Sequence, residues 1–202
     1  MRHAGWVPRR AKTNQNDFFL GARTHFEEYE RFRQCKKSTE DESVELAETK
    51  EKRRVGRSDM KSAVVVGECY FQAEISAKAL LAYQLKIFCR FYGKAPCIRF
   101  DSRGVWHKNK EDGSGLASLR VPPPHFHKVD KDGWLRAYHT AELSDPLTAE
   151  AISKDLTLGT NHFCQEVKLS NPSGGVVVLK TMPHPAPVST AGAMDAAKFP
   201  KK

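Results

Sequence analysis

Apolar residues recur at every second position through the middle of the chain, which is the period of a β-strand with one buried face. Between residues 81 and 92, Leu85, Ile87 and Cys89 alternate with mostly polar neighbours, and residues 97–101 resume the pattern after a Gly-Lys-Ala-Pro turn. The pattern therefore predicts a hairpin over residues 81–101. A β-branched and aromatic run predicts an earlier strand over residues 63–71.

A second hairpin is predicted further along the chain. Residues 125–129 and 134–139 are typical of strands, and Asp132-Gly133 between them is typical of a tight turn. Such a turn would place His127 opposite Tyr138, whereas a one-residue bulge would reverse the face on which His139 lies. The three prolines at 122–124 cannot donate ladder hydrogen bonds, so they predict an edge or a rigid approach to the first strand.

Helical patterns are fewer. Apolar residues three or four apart predict a helix within residues 17–34, and Ser-Asp-Pro at 144–146 predicts the start of another that ends near Gly159. The charged stretch 36–61 is predicted to be a linker or a solvated helix, and the Pro/Ala/Ser/Thr-rich tail to be disordered. These elements predict an α+β fold: a mostly antiparallel sheet of hairpins with one or two packing helices. The expected division is a polar extension at 1–60, a domain at 61–180 and a tail at 181–202.

Charge and composition narrow the functional classes. The chain has 202 residues and a net charge of +9, which favours an anionic partner, most simply nucleic acid and more specifically RNA. The basic cluster Lys52, Arg53, Arg54 and Arg57 is either a solvated face or a contact to phosphates. No apolar run is long enough to span a membrane and no signal-peptide core is visible, so we expect a cytoplasmic protein without a membrane partner. Five cysteines without a Cys-x-x-Cys pair predict reduced thiols.

The histidines are the main candidates for chemistry. Five of the eight lie between positions 107 and 162, and His125 and His127 would share one face of a strand. Three interpretations stay open. The pair could ligate a divalent metal such as zinc or manganese, with His107, Glu142 or Asp101 as a third ligand. It could act without a metal as a general acid and base in RNA cleavage. It could also be structural.

The enzyme hypothesis assigns roles to several residues. His125 and His127 would carry the catalysis, Asp101 would orient an imidazole, and Arg136 would bind the phosphate. Without a metal no cofactor is expected; with one, its ligands would be His125, His127 and His107. The alternative is a non-enzymatic module that binds nucleic acid or an acidic protein. The remaining residues predicted to contact nucleic acid are Lys52, Arg53, Arg54, Arg57, Arg99, Lys128 and Trp134.

The segment Pro124-His125-Phe126-His127, followed by Asp132-Gly133-Trp134, resembles a group of small uncharacterised bacterial and phage-associated proteins. Residues 98–101 and 107–109 resemble the upstream part of that group, and the resemblance covers roughly residues 80–165. The group is also similar in outline to toxins of toxin–antitoxin modules. The group has no assigned function to carry over, so the hypothesis of a ribonuclease toxin or a phage-defence component rests on that outline together with the histidine pair and the basic charge. Val129 departs from it, because a tyrosine is typical at that position.

Overall fold

A computed structural model of the chain describes residues 24–65, 67–76, 82–109 and 120–182. These ranges contain three α-helices and a 3-10 turn at Glu142–Ser144. The helices are α1 Phe26–Gln34, α2 Pro146–Lys154 and α3 Leu156–Val167. The strands are β1 Lys37–Thr39, β2 Ser43–Glu48, β3 Arg54–Ser62, β4 Cys69–Ile75, β5 Tyr83–Cys89, β6 Ile98–Asp101, β7 His107–Lys108, β8 Arg120–Val121, β9 His125–Val129, β10 Leu135–Tyr138, β11 Leu169–Ser170 and β12 Val178–Thr181.

Ten of these strands form one curled sheet in the order β10-β9-β6-β5-β4-β3-β1-β11, and β2 joins β3 to β12 beside this path. All its pairings are antiparallel except β1 with β11 and β2 with β12. Strands β7 and β8 form a separate small hairpin. The predicted α+β class with a mostly antiparallel sheet is confirmed.

The hairpin predicted over residues 81–101 is confirmed as β5 and β6, which pair Leu85 with Phe100 and Ile87 with Ile98. The strand predicted at 63–71 is wrong in its first half, because β3 ends at Ser62 and β4 begins only at Cys69. The Ser62 hydroxyl accepts hydrogen bonds from the N–H groups of Val64 and Val65. This side-chain cap turns the chain despite the β-branched residues.

The prediction of a linker or solvated helix at 36–61 is wrong, because three strands occupy that stretch. Its few large apolar residues are enough: Val44, Leu46 and Met60 are all buried. A strand needs only alternate residues in the core, so a largely charged segment can still belong to a sheet. The expected domain boundary at residue 60 falls inside β3.

The helices pack on one side of the sheet. In α1, Tyr29 and Phe32 are fully buried, and the Tyr29 hydroxyl donates to the Cys97 carbonyl and accepts from the Val129 N–H. The helix predicted within 17–34 is confirmed over Phe26–Gln34, and its earlier residues lie outside the described ranges. In α3, the Phe163 ring stacks on Phe126 at a centroid distance of 5.9 Å.

The helix expected to end near Gly159 is in fact two helices. The chain breaks at Asp155, whose side chain accepts the N–H groups of Thr157 and Leu158 and so caps α3. Gly159 therefore lies inside a helix, where it passes directly over Tyr83: a Cβ there would meet the tyrosine hydroxyl at 1.6 Å. Close approach, rather than helix termination, explains this glycine.

Strand alternation divides the side chains of the sheet between a core face and an outer face. The core face carries Phe71, Leu85, Ile98, Phe100 and Phe126 beneath the helices. The outer face carries polar cross-strand rows, since Glu74, Gln84, Asp101 and His125 are successive partners in neighbouring strands. Gln72, Lys86, Arg99 and His127 form the adjacent row. Polar chemistry is thus concentrated on the outer face.

Candidate functional site

Strands β6 and β9 bring four of the predicted site residues together. Asp101 pairs with His125 and Arg99 pairs with His127, so all four side chains lie on the outer face. The prediction that the two histidines share a face is confirmed. We call this group of four residues the Asp101 cluster.

One carboxylate oxygen is the centre of the Asp101 cluster. Asp101 Oδ2 lies 2.9 Å from His127 Nε2 and 3.7 Å from His125 Nε2, and the Arg99 guanidinium approaches the same oxygen at 2.9 Å. The other oxygen, Oδ1, accepts a hydrogen bond of 2.8 Å from Gln84 Nε2. Sequence reasoning missed Gln84, although the β5–β6 hairpin register places it directly opposite Asp101.

The contacts around His127 cannot all be favourable. Its Nε2 lies 2.9 Å from Asp101 Oδ2 and also 2.9 Å from the Arg99 guanidinium. A protonated Nε2 donates to the carboxylate but turns its N–H toward the guanidinium, whereas an unprotonated Nε2 accepts from Arg99 but turns its lone pair toward the carboxylate. The three groups therefore have one unfavourable contact in either protonation state of His127. The Arg99 guanidinium is the cation that lies between Asp101 Oδ2 and His127 Nε2.

Buried atoms without a hydrogen-bond partner concentrate in the same cluster. Within the described residues there are four such side-chain atoms, and three of them are Arg99 Nε, His125 Nδ1 and His127 Nδ1. Their solvent exposure is also low: His127 is 0% exposed, His125 2% and Asp101 7%. Groups left unpaired in a folded interior are costly, so this arrangement points to function more than to stability.

Burial and charge set the protonation states. Burial lowers the pKa of His127 to about 4, against the hydrogen bond and charge of Asp101. It also lowers the pKa of His125. Burial would raise the pKa of Asp101, but the His127 hydrogen bond and the Arg99 charge outweigh it and lower that pKa. At neutral pH the cluster therefore holds two neutral imidazoles and one carboxylate, the forms in which these groups bind metals.

Asp101, His125 and His127 make a donor set for a metal ion. Their three ligand atoms, one from each side chain, all lie within 4.8 Å of one another. An ion with ligand bonds of about 2.0–2.2 Å needs donors roughly 3–4 Å apart, which small side-chain rotations would provide here. Of the third ligands predicted from the sequence, Asp101 is thus in the cluster. Glu142 lies instead in the exposed 3-10 turn, near His162.

His107 adds a third imidazole beside the cluster. Its ring centroid lies 4.8 Å from that of His127 and 6.3 Å from that of His125. It belongs to the small β7–β8 hairpin, and the next residue but one, Asn109, bonds to both the N–H and the carbonyl of Ala137. His107 is only partly buried, and burial lowers its pKa. It is therefore the most accessible imidazole of the three.

The predicted role of Arg136 is not supported by its position. Gly133 adopts a φ of 80° and the loop has three residues, so Asp130 pairs with Trp134 and the register of β9 and β10 shifts by one. Arg136 lies opposite Lys128, on the face away from the histidines, and its Nε donates to Asp130. The Asp-Gly pair forms a glycine bulge rather than the expected two-residue turn.

The same shift decides the face on which His139 lies, whereas alternation within β9 places Lys128 and the loop after β9 places Trp134. His139 falls on the parity of His125 and His127, and its Nε2 lies 2.9 Å from the Pro122 carbonyl oxygen. Lys128 lies on the core-face parity with its Nζ 5.4 Å from the Tyr138 ring. Trp134 lies in the loop that follows β9, and His125 lies at the opposite end of that strand. Neither Lys128 nor Trp134 joins the cluster.

Strand alternation splits the predicted basic cluster. Lys52 lies in the turn before β3, with a φ of 58°, and Arg53 forms an ion pair of 2.7 Å with Glu74. Arg54 and Arg57 lie on opposite parities of β3, and Arg57 is the one on the outer face. These four residues do not form one continuous patch, although two of them border the outer face.

Comparison with known proteins finds no matching family model, no matching curated protein and no matching solved structure. Among the described residues, no helix is both long and apolar enough to cross a membrane. All five cysteines are free thiols. The tail beyond residue 182, predicted to be disordered, lies outside the described ranges.

Proposed function

We propose that the protein is a metal-dependent phosphodiesterase that acts on RNA, with Asp101, His125 and His127 as the metal ligands. The observation that carries the proposal is the convergence of one carboxylate oxygen and two neutral imidazole nitrogens within 4.8 Å on a polar sheet face. Two histidines and one carboxylate suit zinc, manganese or ferrous iron. Manganese and zinc are the metals to test first, since phosphodiesterases use both.

Arg99 has two roles in this proposal. Its guanidinium contacts Asp101 Oδ2, so it must leave that oxygen when a metal enters. The Arg99 side chain is 27% exposed, which gives it a path toward solvent while it stays beside the cluster. A guanidinium in that position would meet a phosphate that approaches the metal, and planar bidentate contacts to phosphate are its favoured interaction.

The proposed reaction is transesterification of the RNA backbone. The 2′-oxygen forms a bond to the adjacent phosphorus, the bond from phosphorus to the 5′-oxygen breaks, and the products are a 2′,3′-cyclic phosphate and a 5′-hydroxyl. A bound metal would polarise the phosphate oxygens. His107 would accept the 2′-hydroxyl proton, because it is neutral at pH 7 and the most accessible imidazole. The leaving oxygen takes its proton from water or from the protonated His107.

Two other hypotheses receive less support. In a metal-independent mechanism His125 and His127 would touch the substrate directly, but they are 2% and 0% exposed. A non-enzymatic module that binds RNA or an acidic protein is compatible with that burial, since it needs no open centre, but it gives the convergence of the three donor atoms no role. In the resemblance to toxin components, such an acidic partner would be the antitoxin.

Metal binding and RNA cleavage test the proposal together. The metal-free protein is titrated with zinc and with manganese by calorimetry, and cleavage of a labelled single-stranded RNA is followed in parallel. We expect Asp101→Asn and His127→Gln to lose both metal binding and about 100-fold or more of the cleavage rate. His139→Gln is the matched control and should keep both.

The possible outcomes separate the hypotheses. Cleavage that survives a chelator would overturn the metal-dependent mechanism and favour the acid–base pair. RNA binding without cleavage under any metal would support the non-enzymatic module. DNA has no 2′-hydroxyl and cannot form a 2′,3′-cyclic phosphate. Cleavage of DNA would therefore contradict the role of the 2′-hydroxyl.

A further inference from the structure

A second feature of the outer face lies on β3, β4 and β5, beyond the Asp101 cluster. Tyr70 and Phe88 are cross-strand partners whose rings stack at a centroid distance of 4.6 Å and an angle of 12°. The Arg57 guanidinium covers Tyr70 at 3.8 Å from the ring centroid. We call Arg57, Tyr70 and Phe88 the aromatic column.

The aromatic column is not part of the hydrophobic core. Neither Tyr70 nor Phe88 belongs to the buried cluster beneath the helices, and both rings are half-buried on the polar side of the sheet. Cross-strand aromatic pairs do stabilise sheets, so pairing alone could explain the two rings. It does not explain the cavity beside them.

That cavity is bordered by the column and by the β5–β6 turn. Its volume is about 480 Å³, which is enough for one planar heterocycle and its sugar. Phe88 and Tyr70 line it together with Gly93 of the turn. Three basic side chains and one acidic side chain complete the lining: Arg57, Arg90, Lys94 and Glu68.

The composition of this cavity matches an unpaired nucleotide. A flat ring that enters it can extend the column by stacking on Phe88, and base–aromatic stacking needs no particular sequence. Arg57 and Arg90 at the border form ion pairs of 2.7 Å with Asp59 and Glu68. Lys94 therefore gives the border one excess positive charge, which suits a phosphate beside the base. A peptide would find neither an exposed strand edge nor a deep apolar pocket here.

Strand geometry connects the column to the Asp101 cluster. Phe88 and Lys86 are two residues apart on the same face of β5, which corresponds to about 7 Å. Lys86 pairs with Arg99 on β6, and Arg99 pairs with His127 on β9. The path from the column to the cluster therefore passes Lys86 and Arg99, whose ion pairs with Glu74 at 2.6 Å and with Asp101 at 2.9 Å hold them beside the course that a sugar–phosphate backbone would follow.

We propose that the aromatic column and its cavity bind an unpaired base of single-stranded RNA, whose backbone then crosses Lys86 and Arg99 toward the Asp101 cluster. The choice of RNA rests on the proposed function, whereas the stacking site stands on its own geometry. Double-stranded RNA is not expected to bind, because its bases are already stacked and paired.

The test measures binding rather than cleavage, so that it does not depend on the metal centre. A fluorescent 2′-O-methyl RNA, which lacks the nucleophile, is titrated with the full chain in the presence of a chelator. Its affinity is compared with that of an abasic oligomer of the same length and charge, and with that of a duplex. We expect the base-bearing strand to bind about tenfold more tightly than the abasic one.

Three variants locate the effect. Phe88→Leu keeps an apolar side chain but removes the ring, so the preference for base-bearing RNA should disappear. Phe88→Tyr keeps a ring and should keep the preference. Phe91→Leu is the matched control, because Phe91 is 49% exposed but contacts His25 and Tyr92 instead of the column. Should Phe88→Leu not fold, a photoreactive 4-thiouridine strand on the wild-type chain replaces it, and a crosslink to Tyr70 or Phe88 is the expected result.

Each outcome has one meaning. Equal affinity for base-bearing and abasic strands, an unchanged preference in Phe88→Leu, tight duplex binding, or crosslinks only outside the column would overturn the stacking site. A base preference that depends on Phe88 without any metal-dependent cleavage would leave the stacking site intact and contradict only the phosphodiesterase proposal.

Discussion

On the core face of the sheet, rings and helices fill the available space so closely that Gly159 has no room for a methyl group over Tyr83. On the outer face, Arg99, Asp101 and His127 lie at 2.9 Å from one another although one of their contacts is always unfavourable. The first arrangement is what stability requires of packing. The second costs stability, and that cost is why we propose the outer face, rather than the core face, as the functional one.

The largest expected effect comes from the core face. Gly159→Ala forces a Cβ to within 1.6 Å of the Tyr83 hydroxyl oxygen, so the helix or the tyrosine must move. We expect a loss of about 3 kcal/mol or more in the free energy of unfolding, measured by urea denaturation. Removing that oxygen with Tyr83→Phe in the same chain should restore part of the loss. An alanine variant as stable as the wild type would contradict the close packing.

Acid should destabilise the outer face selectively. Burial holds the folded pKa of His127 near 4, below the ordinary 6.5, so the unfolded chain binds the extra proton first. The stability contribution is present above pH 6.5 and lost as the pH falls toward 4, with a total on the order of 3 kcal/mol. The lowered pKa of Asp101 extends the loss below its ordinary 3.8.

Thermal unfolding at several pH values with a chelator present measures this loss. In His127→Gln the slope of stability against pH between 6.5 and 4 should become shallower, because one of the depressed imidazoles is gone. An equally steep slope in that variant would show that other groups, such as His162, whose pKa burial also lowers, cause the acid sensitivity.

A smaller effect tests the polar contacts of the core face. The Tyr29 hydroxyl is fully buried and joins the Cys97 carbonyl to the Val129 N–H. Tyr29→Phe keeps the ring and leaves that N–H and carbonyl unpaired, so we expect a loss of about 1–3 kcal/mol by denaturation. No change in stability would mean that water replaces the hydroxyl. RNA cleavage should be unaffected, since α1 packs on the opposite face from the Asp101 cluster.

The two faces also differ in how far the sequence could predict them. Alternation alone placed Leu85 and Ile87 on one face of their strand, and His125 and His127 on one face of theirs, because strand parity is a local property. The β9–β10 register was not local in this sense: an Asp-Gly pair serves a two-residue turn or a glycine bulge, and only the structure shows which. Arg136 was therefore assigned to the wrong face.

The hydrophobic pattern also failed to predict strands with little apolar content. Val44 and Leu46 of β2 lie within a charged stretch. That strand is held by its pairing with β3, which follows it after a polar turn, and with β12, which is distant in sequence. Gln84 and the Tyr70–Phe88 stack were missed for a related reason, since each matters only through its partner on a neighbouring strand. Cross-strand rows become visible only when the registers are known.

The smallest effect on stability, and the sharpest test of the outer face, is expected for Arg99→Gln. Asp101 is buried but keeps its contacts with Gln84 and His127 when the guanidinium is removed, so the loss should be about 1 kcal/mol by denaturation. The variant also removes the cation that contacts Asp101 Oδ2 and His127 Nε2. Zinc or manganese should therefore bind at least about tenfold more tightly than to the wild type, because no guanidinium competes for the same atoms. RNA cleavage should nevertheless fall, since the phosphate loses its partner.

Calorimetric titration measures the affinity, and Arg53→Gln, which breaks the ion pair with Glu74 on the same face, is the control that should leave it unchanged. Weaker metal binding by Arg99→Gln would show that the arginine helps to build the metal site, and the role of its guanidinium as the competing cation would then be wrong.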